Sequence, residues 1–590
     1  MKNPSAFYQE NIAFQQEELR VIKKRLLTYS MMRLLAFILA CVVIYFVIDN
    51  TRYVIAIVAV TIFLFVYLVT QHSKTKYRRD LTLSLIVQNE VELEVLERKF
   101  HHLPNGEKYS DPLHFYSQDI DLFGRGSFFQ YMNRTALESG SDYLAHILTE
   151  NRIDAILEKQ QAIQEIAEKS TWRQRFTGIA SLVKTEASVA EVTDWLKGYK
   201  AFAPNWIVPA SILFPIVSVG FFILNYLGLL SGYITAGWFI LGFIITGIYA
   251  KKINALSAEA SKLQSIFDQF HQLILEVENE SFSSEILTAK RNLVVQSDTK
   301  TSTVLKKFSR YLDVLGQGDI MLFGPIINGF TLRNLRQCYN IEQWIKAYEK
   351  NVPAWFEVIT FFDAYNSLGN FAFNHPAYSY PTISDGDSVL NIKGAGHPLL
   401  HEATMVKNDI QINSEEFFIV TGANMAGKST FLRTVSLQIV MGNIGLPVCA
   451  DAFTYSPIKL ITSMRTTDSL TDDESYFFSE LKRLKFIVDE IKTDRYFIIL
   501  DEILKGTNST DKAIGSRKFV EKLVGSNSTG IIATHDLSLC AAADELSEVK
   551  NYYFDAQIID DELFFDYTFK PGICENMNAS FLLKKMEIVD

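Results

Sequence analysis

Residues 421–430 read Thr-Gly-Ala-Asn-Met-Ala-Gly-Lys-Ser-Thr, and this decapeptide decides the fold of the C-terminal part of the chain. Gly422, Gly427, Lys428 and Ser429 satisfy G-x-x-x-x-G-K-[ST], the pattern of a loop that wraps phosphate. An apolar strand, 417–420, leads into it and a helix-prone run, 431–440, leads out. In that setting glycines let backbone N–H groups close around phosphate oxygens, and the helix N-terminus adds its partial positive charge. The cradle is then Gly422, Ala423, Asn424, Met425, Ala426, Gly427, Lys428, Ser429 and Thr430. Lys428 would reach the β- and γ-phosphates and Ser429 would ligate Mg²⁺. The plain alternative, a glycine turn before a helix, does not explain why the other parts of a nucleotide site come next along the chain, in order.

A second strand, 496–500, ends in Asp501-Glu502. Asp501 is placed to hold Mg²⁺, and Glu502 to orient or deprotonate an attacking water. A third strand, 530–533, ends in Thr534-His535-Asp536, which puts His535 where it can sense the γ-phosphate. Between these strands and the glycine loop, Ser475 starts an apolar-striped helix running to about Ile491. A serine there is a cap, or it presents its hydroxyl and the helix dipole to a phosphate from another subunit. Together the residues predict an ATP hydrolase using ATP and Mg²⁺. Glu502 and His535 are the catalytic candidates, and Ser429 and Asp501 the metal ligands.

At 590 residues the chain is too long for one core. Its net charge of −10 gives no general attraction for nucleic acid, whose affinity rests on Lys and Arg against phosphate. The five cysteines lie far apart and show no C-x-x-C, so they read as reduced thiols, and the histidines show no metal-ligand spacing.

Four stretches are too apolar for a soluble fold: 34–48, 53–70, 206–226 and 233–250. Each approaches the ~20 residues that cross a bilayer as helix, and short turns join them into two hairpins. Arg20, Lys23, Lys24, Arg25 and Arg33 precede the first, and Lys74, Lys76, Arg78 and Arg79 come after the second. Lys197 and Lys200 precede the third, Lys251 and Lys252 come after the fourth, and the hairpin tips carry only Arg52. Positive-inside bias then predicts a multi-pass protein of the inner (cytoplasmic) membrane with both termini cytosolic. No signal peptide is evident. The stretches hold no charged side chain, which favours anchor over conduit. Glycines 228, 232, 237, 242 and 247 offer close helix packing, or are ordinary membrane-helix glycine content.

With the nucleotide motifs in place, the chain resembles the MutS family of DNA mismatch-repair ATPases, a branch of the ABC superfamily. Residues 421–430 are similar to that family's T-G-P-N-M-x-G-K-S-T, departing at Ala423. Leu500-Asp-Glu-Ile-Leu-Lys-Gly-Thr-Asn-Ser509, Ala533-Thr-His535 and Ser475-Tyr-Phe-Phe-Ser-Glu480 resemble its other nucleotide motifs. Weaker likeness reaches 121–141, Phe361–Leu368, Gly396-His-Pro398 and Phe569–Gly572. The resemblance implies a homodimer in which Ser475 meets the partner's ATP, and it implies DNA binding. It leaves no room for the N-terminal mismatch-reading domain; Phe7-Tyr8-Gln9-Glu10 resembles its wedge only superficially. The C-terminal helix-turn-helix is expected to be truncated or missing on the same grounds, and the second hairpin interrupts the lever region.

The expected fold is therefore an α/β P-loop domain after an all-α core and lever region carrying two transmembrane hairpins. The expected divisions are a tail at 1–27, hairpin one at 28–70, a helical core-like region at 71–203 and hairpin two at 204–250. Lever-like helices at 251–385 and the ATPase domain at 386–590 complete them. Function is expected as an ATP-dependent dimer switch acting on DNA. An ABC-type transporter and an ATP-gated membrane tether for an unknown protein partner are the alternatives.

Overall fold

The computed structural model describes residues 3–183, 189–295, 299–316, 324–423, 425–465, 476–559 and 562–574. Two long antiparallel helices open the chain, Pro4–Phe46 and Thr51–Leu96. The turn between them is capped by Asn50, whose side chain accepts from the Arg52 N–H at 3.2 Å. Residues 5–46 contain neither Gly nor Pro, so nothing breaks the helix where the tail was expected to meet the hairpin. The charged segment after residue 70 is likewise continuous with the second arm. A second pair comes later, Ile207–Tyr226 and Gly232–Ile248, the latter bending by 67° into Ala250–Asn279. By length and composition three of these helices could cross a membrane, or four if the bent pair counts as one.

The helical body gathers around a lever helix, Val352–Asn374, buried on nearly all sides. Its buried Asp363 accepts from the backbone N–H groups of Ala136 (3.1 Å) and Leu137 (2.9 Å), which lead into the helix Glu138–Thr149. Gly140 allows this approach, because a methyl there would collide with the carboxylate. Burial pushes the Asp363 carboxyl up to about 7.

The α/β part holds two main sheets. A six-stranded sheet runs in the order Phe569–Pro571, Val549–Phe554, Phe417–Gly422, Thr529–Ala533, Tyr496–Asp501, Lys459–Ser463. All neighbours are parallel except the first pair. A smaller mixed sheet joins Thr382–Ile383, Ala452–Tyr455, Ser388–Ala395 and Asn408–Asn413. Its first strand pairs parallel with Thr454 and Tyr455, so α/β structure starts slightly before the expected boundary at 386.

Side chains alternate across the central strand. Phe418 and Val420 join the core shared with the helical body, while Phe417 and Ile419 face a second core on the other side. The edge strand Lys459–Ser463 is covered by residues 113–121 of the body: Thr462 N–H donates to the Phe115 carbonyl (2.9 Å) and Thr462 Oγ1 to Asp119 (2.6 Å). The Arg483 guanidinium donates to the Thr462 and Phe115 carbonyls, each at 2.7 Å. This clasp ties the α/β domain to the helices.

Candidate active site

The central strand ends in Gly422, the next in sheet order in Ala533, and the one beyond in Asp501, so the loops after them meet at one edge. The glycine loop then turns into the helix Lys428–Asn443, three residues earlier than the sequence suggests. Gly422 and Gly427 have φ of +151° and +104°, and a methyl on Gly422 would lie 2.6 Å from the Phe554 carbonyl oxygen. Met425 also takes positive φ (+68°) and is exposed. Asn424 lies outside the described residues.

Lys428 is buried, and its Nζ donates to the carbonyls of Gly422 (2.6 Å) and Ala423 (3.0 Å). Burial lowers its pKa, opposed by the charges of Asp501 and Glu502. Ser429 Oγ donates to Asp501 Oδ2 at 2.7 Å, bringing the two expected metal ligands together. A hydroxyl and a carboxylate are hard oxygen donors of the kind Mg²⁺ takes, and this pairing fits the metal. Glu502 has φ +56°, its N–H bonded to the Ala533 carbonyl at 2.8 Å. That bond locks the acid loop to the next strand. Glu502 Oε1 lies 3.8 Å from His535 Nε2, and Lys428 Nζ lies 3.3 Å from the same nitrogen. Burial first, and then the Lys428 charge, lower the His535 pKa.

These groups line a cleft of about 600 Å³, within the range of nucleotide-sized sites. The cleft also takes in residues that sequence reasoning did not assign to it: His397, Leu400, Val406, Lys505 and Tyr567. Asn408 binds the Tyr567 carbonyl (3.0 Å) and the Phe569 N–H (2.7 Å), holding this wall in place. Burial pushes His397 down to about 4. Gly396-His-Pro398 was the only local signal for that wall; nothing marks Tyr567.

Ser475 lies outside the described residues; the helix after it is Tyr476–Glu490. On that helix buried Glu480 accepts from the Lys505 N–H at 3.2 Å, so it packs against the loop carrying Glu502. Asp121 of the helical body pairs with Arg433 of the helix after the glycine loop and with Arg465, each at 2.8 Å. The body therefore touches both elements that flank the nucleotide motifs.

A glycine loop, a lysine, a hydroxyl and two acids converging at the carboxyl ends of parallel strands define an α/β domain with a phosphate-loop site. In comparison with known proteins, residues 418–586 match MutS domain V. The DNA mismatch repair protein MutS of Fusobacterium nucleatum is 35% identical over 196 residues, 31% of this chain and 21% of that protein. DNA mismatch repair protein MutS 2 of Halobacterium salinarum is 30% identical over 214 residues, 35% of this chain and 25% of that protein. DNA mismatch repair protein MSH3 of Candida albicans is 28% identical over a longer stretch, 342 residues, 54% of this chain and 32% of that protein. The chain thus spans between about a fifth and a third of the length of these curated relatives.

Proposed function

We propose that the chain is a membrane-anchored ATPase of the MutS kind, in which ATP joins two copies and the joining moves the helical body against the bilayer. The observation that carries this reading is the Ser429–Asp501 contact at 2.7 Å, with Lys428, Glu502 and His535 around the same cleft in a domain matched to MutS domain V. Ser429 and Asp501 would hold Mg²⁺, which would supply positive charge to the phosphate oxygens. Lys428 holds the phosphates, Glu502 orients and deprotonates water, and His535 stands beside Lys428 at the γ-phosphate end of the cleft. Ser475 completes the partner's site.

The anchor is proposed as two hairpins in the cytoplasmic membrane, with termini and α/β domain in the cytosol. Lys and Arg on the flanks and their scarcity at the tips support that orientation. DNA is the proposed substrate surface because the relatives' names speak of mismatch repair. DNA affinity of the purified protein at two salt concentrations tests that half, and negligible binding with no salt dependence removes it. Glu502→Gln tests the other half: ATP binding persists and hydrolysis is lost, and unchanged turnover refutes the assignment.

The unbroken helices leading from the apolar segments into the body favour one second reading, an ATP-gated tether for a protein partner. Slow turnover with a nucleotide-dependent dimer and no DNA affinity distinguishes it.

A further inference from the structure

The short helix Gly324–Thr331 holds Gly-Pro-Ile-Ile-Asn-Gly-Phe-Thr and packs against both helices of the second hairpin. Phe330 meets Phe222 of Ile207–Tyr226 (centroids 5.0 Å apart) and Phe239 of Gly232–Ile248 (5.1 Å). Gly242 and Gly329 touch backbone to backbone, since a methyl at Gly242 would enter the Gly329 carbonyl. Of the glycines on the fourth apolar stretch, this is the one that a close approach requires; Gly237 and Gly247 have open space beside them.

The polar and glycine contacts sit in the middle part of the hairpin helices. Ser218 lies about 16 Å along its helix from Ile207, and Gly242 about 9 Å from the Ile248 end, at ~1.5 Å per residue. Both are therefore deep in any ~30 Å hydrocarbon layer that the hairpin crosses. Ser218 Oγ accepts from the Trp238 indole N–H at 2.9 Å and lies 2.8 Å from the Phe330 carbonyl oxygen at the end of the short helix. Backbone that stops at membrane depth needs such a partner, because no water is there to supply one. Ile326 and Ile327 of the short helix are 49% and 37% exposed, and Val219 and Phe243 of the hairpin are exposed as well. Eight residues of helix reach only ~12 Å, so the element cannot span.

We infer that Gly324–Thr331 is a re-entrant membrane element, with Ile326 and Ile327 in contact with lipid chains and the glycine pair and Ser218 holding it to the second hairpin. It rests on the proposed membrane-anchored reading. The helix Gly324–Thr331 is then seated inside the bilayer itself, and the helix Arg333–Tyr348 comes next along the chain.

Full-length protein in inverted membrane vesicles tests this with a charged, membrane-impermeant maleimide. The background has all five cysteines replaced by alanine, since the four buried thiols would react once the protein is denatured. Single cysteines are placed by Ile327→Cys, Val60→Cys on the first hairpin, and Lys346→Cys on the exposed cytosolic side. The expected result is labelling at 346 and loss of labelling at 60 and 327 until the bilayer is dissolved by denaturing detergent. Labelling at 327 with 60 still shielded overturns the inference and leaves the anchor standing. Labelling at 60 overturns the anchor. Shielding at 327 with a bis-maleimide cross-link between two copies assigns the patch to a dimer contact and overturns the lipid assignment. Adding Gly329→Leu is expected to restore labelling at 327 while 60 stays shielded; continued shielding overturns the role of the glycine contact.

Discussion

The two helical hairpins are attached by different chemistry, the first to the lever helix Val352–Asn374 and the second to the short helix Gly324–Thr331. The first grips the end that enters the α/β domain. Tyr8 on its leading helix donates to Asn374 at 2.6 Å, and Glu92 on its second arm accepts from Asn374 Nδ2 and Arg134 Nε, each at 2.7 Å. Phe7 and Tyr8, which superficially resemble a mismatch wedge, are buried here against Phe373. Arg98, just past the same arm, also donates to the Pro398 carbonyl beside the cleft. The second hairpin meets Gly324–Thr331 through aromatic rings, a glycine contact and the single hydroxyl of Ser218. A buried polar network is satisfied in one arrangement and costly in others, whereas a mainly apolar contact tolerates sliding. The first attachment is therefore expected to act as a fixed joint and the second as a bearing.

The largest effect should come from the cleft. Glu502→Gln is expected to slow turnover by ~10²–10⁴-fold with nucleotide retained, as read by steady-state hydrolysis and nucleotide binding. Lever displacement that persists at one hairpin alone in the trapped variant would break the picture of a shared drive. Next, Tyr8→Ala should cost about 3–5 kcal/mol at the fixed joint and free the leading helix to limited proteolysis. If melting and cleavage are unchanged, the first attachment is not a joint.

Between the attachments sits Asp363. With its carboxyl raised to about 7, the stability it confers is full below the unfolded value near 4 and lost as pH rises through about 7. Asp363→Asn keeps an acceptor for the two N–H groups. It should flatten this slope, gaining about 2 kcal/mol relative to the parent between roughly pH 5 and pH 8 in melts. Tyr8→Phe removes only the hydroxyl and should cost about 1–2 kcal/mol, by taking the Tyr8 donor from Asn374 Oδ1. The smallest effect is expected at the bearing: Phe330→Leu should cost under about 1.5 kcal/mol and leave turnover nearly unchanged. A larger loss there than for Tyr8→Phe would reverse the comparison.

Much of the cleft is legible from residues alone. Lys428, Ser429, Asp501, Glu502 and His535 stand at fixed offsets from strand ends, and the structure brings all five together. The wall formed by His397, Val406 and Tyr567 was not legible, because three segments far apart in sequence supply it. The apolar segments were legible as composition, but their continuity with the charged helices was less so. Charge patterns suggest a boundary near residue 27, while an absence of helix breakers carries the helix through it. The short apolar run ending at Thr331 fell below any spanning length and gave no signal by itself.

What the amino-acid order determined by itself is therefore local: a phosphate cradle, the acids at strand ends, and four apolar runs, each readable within about twenty residues. Tertiary structure alone decided the joints. Tyr8 meets Asn374 across 366 positions and Asp119 meets Thr462 across 343, and both pairings require the chain to return to one place. Whether a buried polar group is satisfied depends on what the fold sets opposite it, and no window of sequence contains both halves.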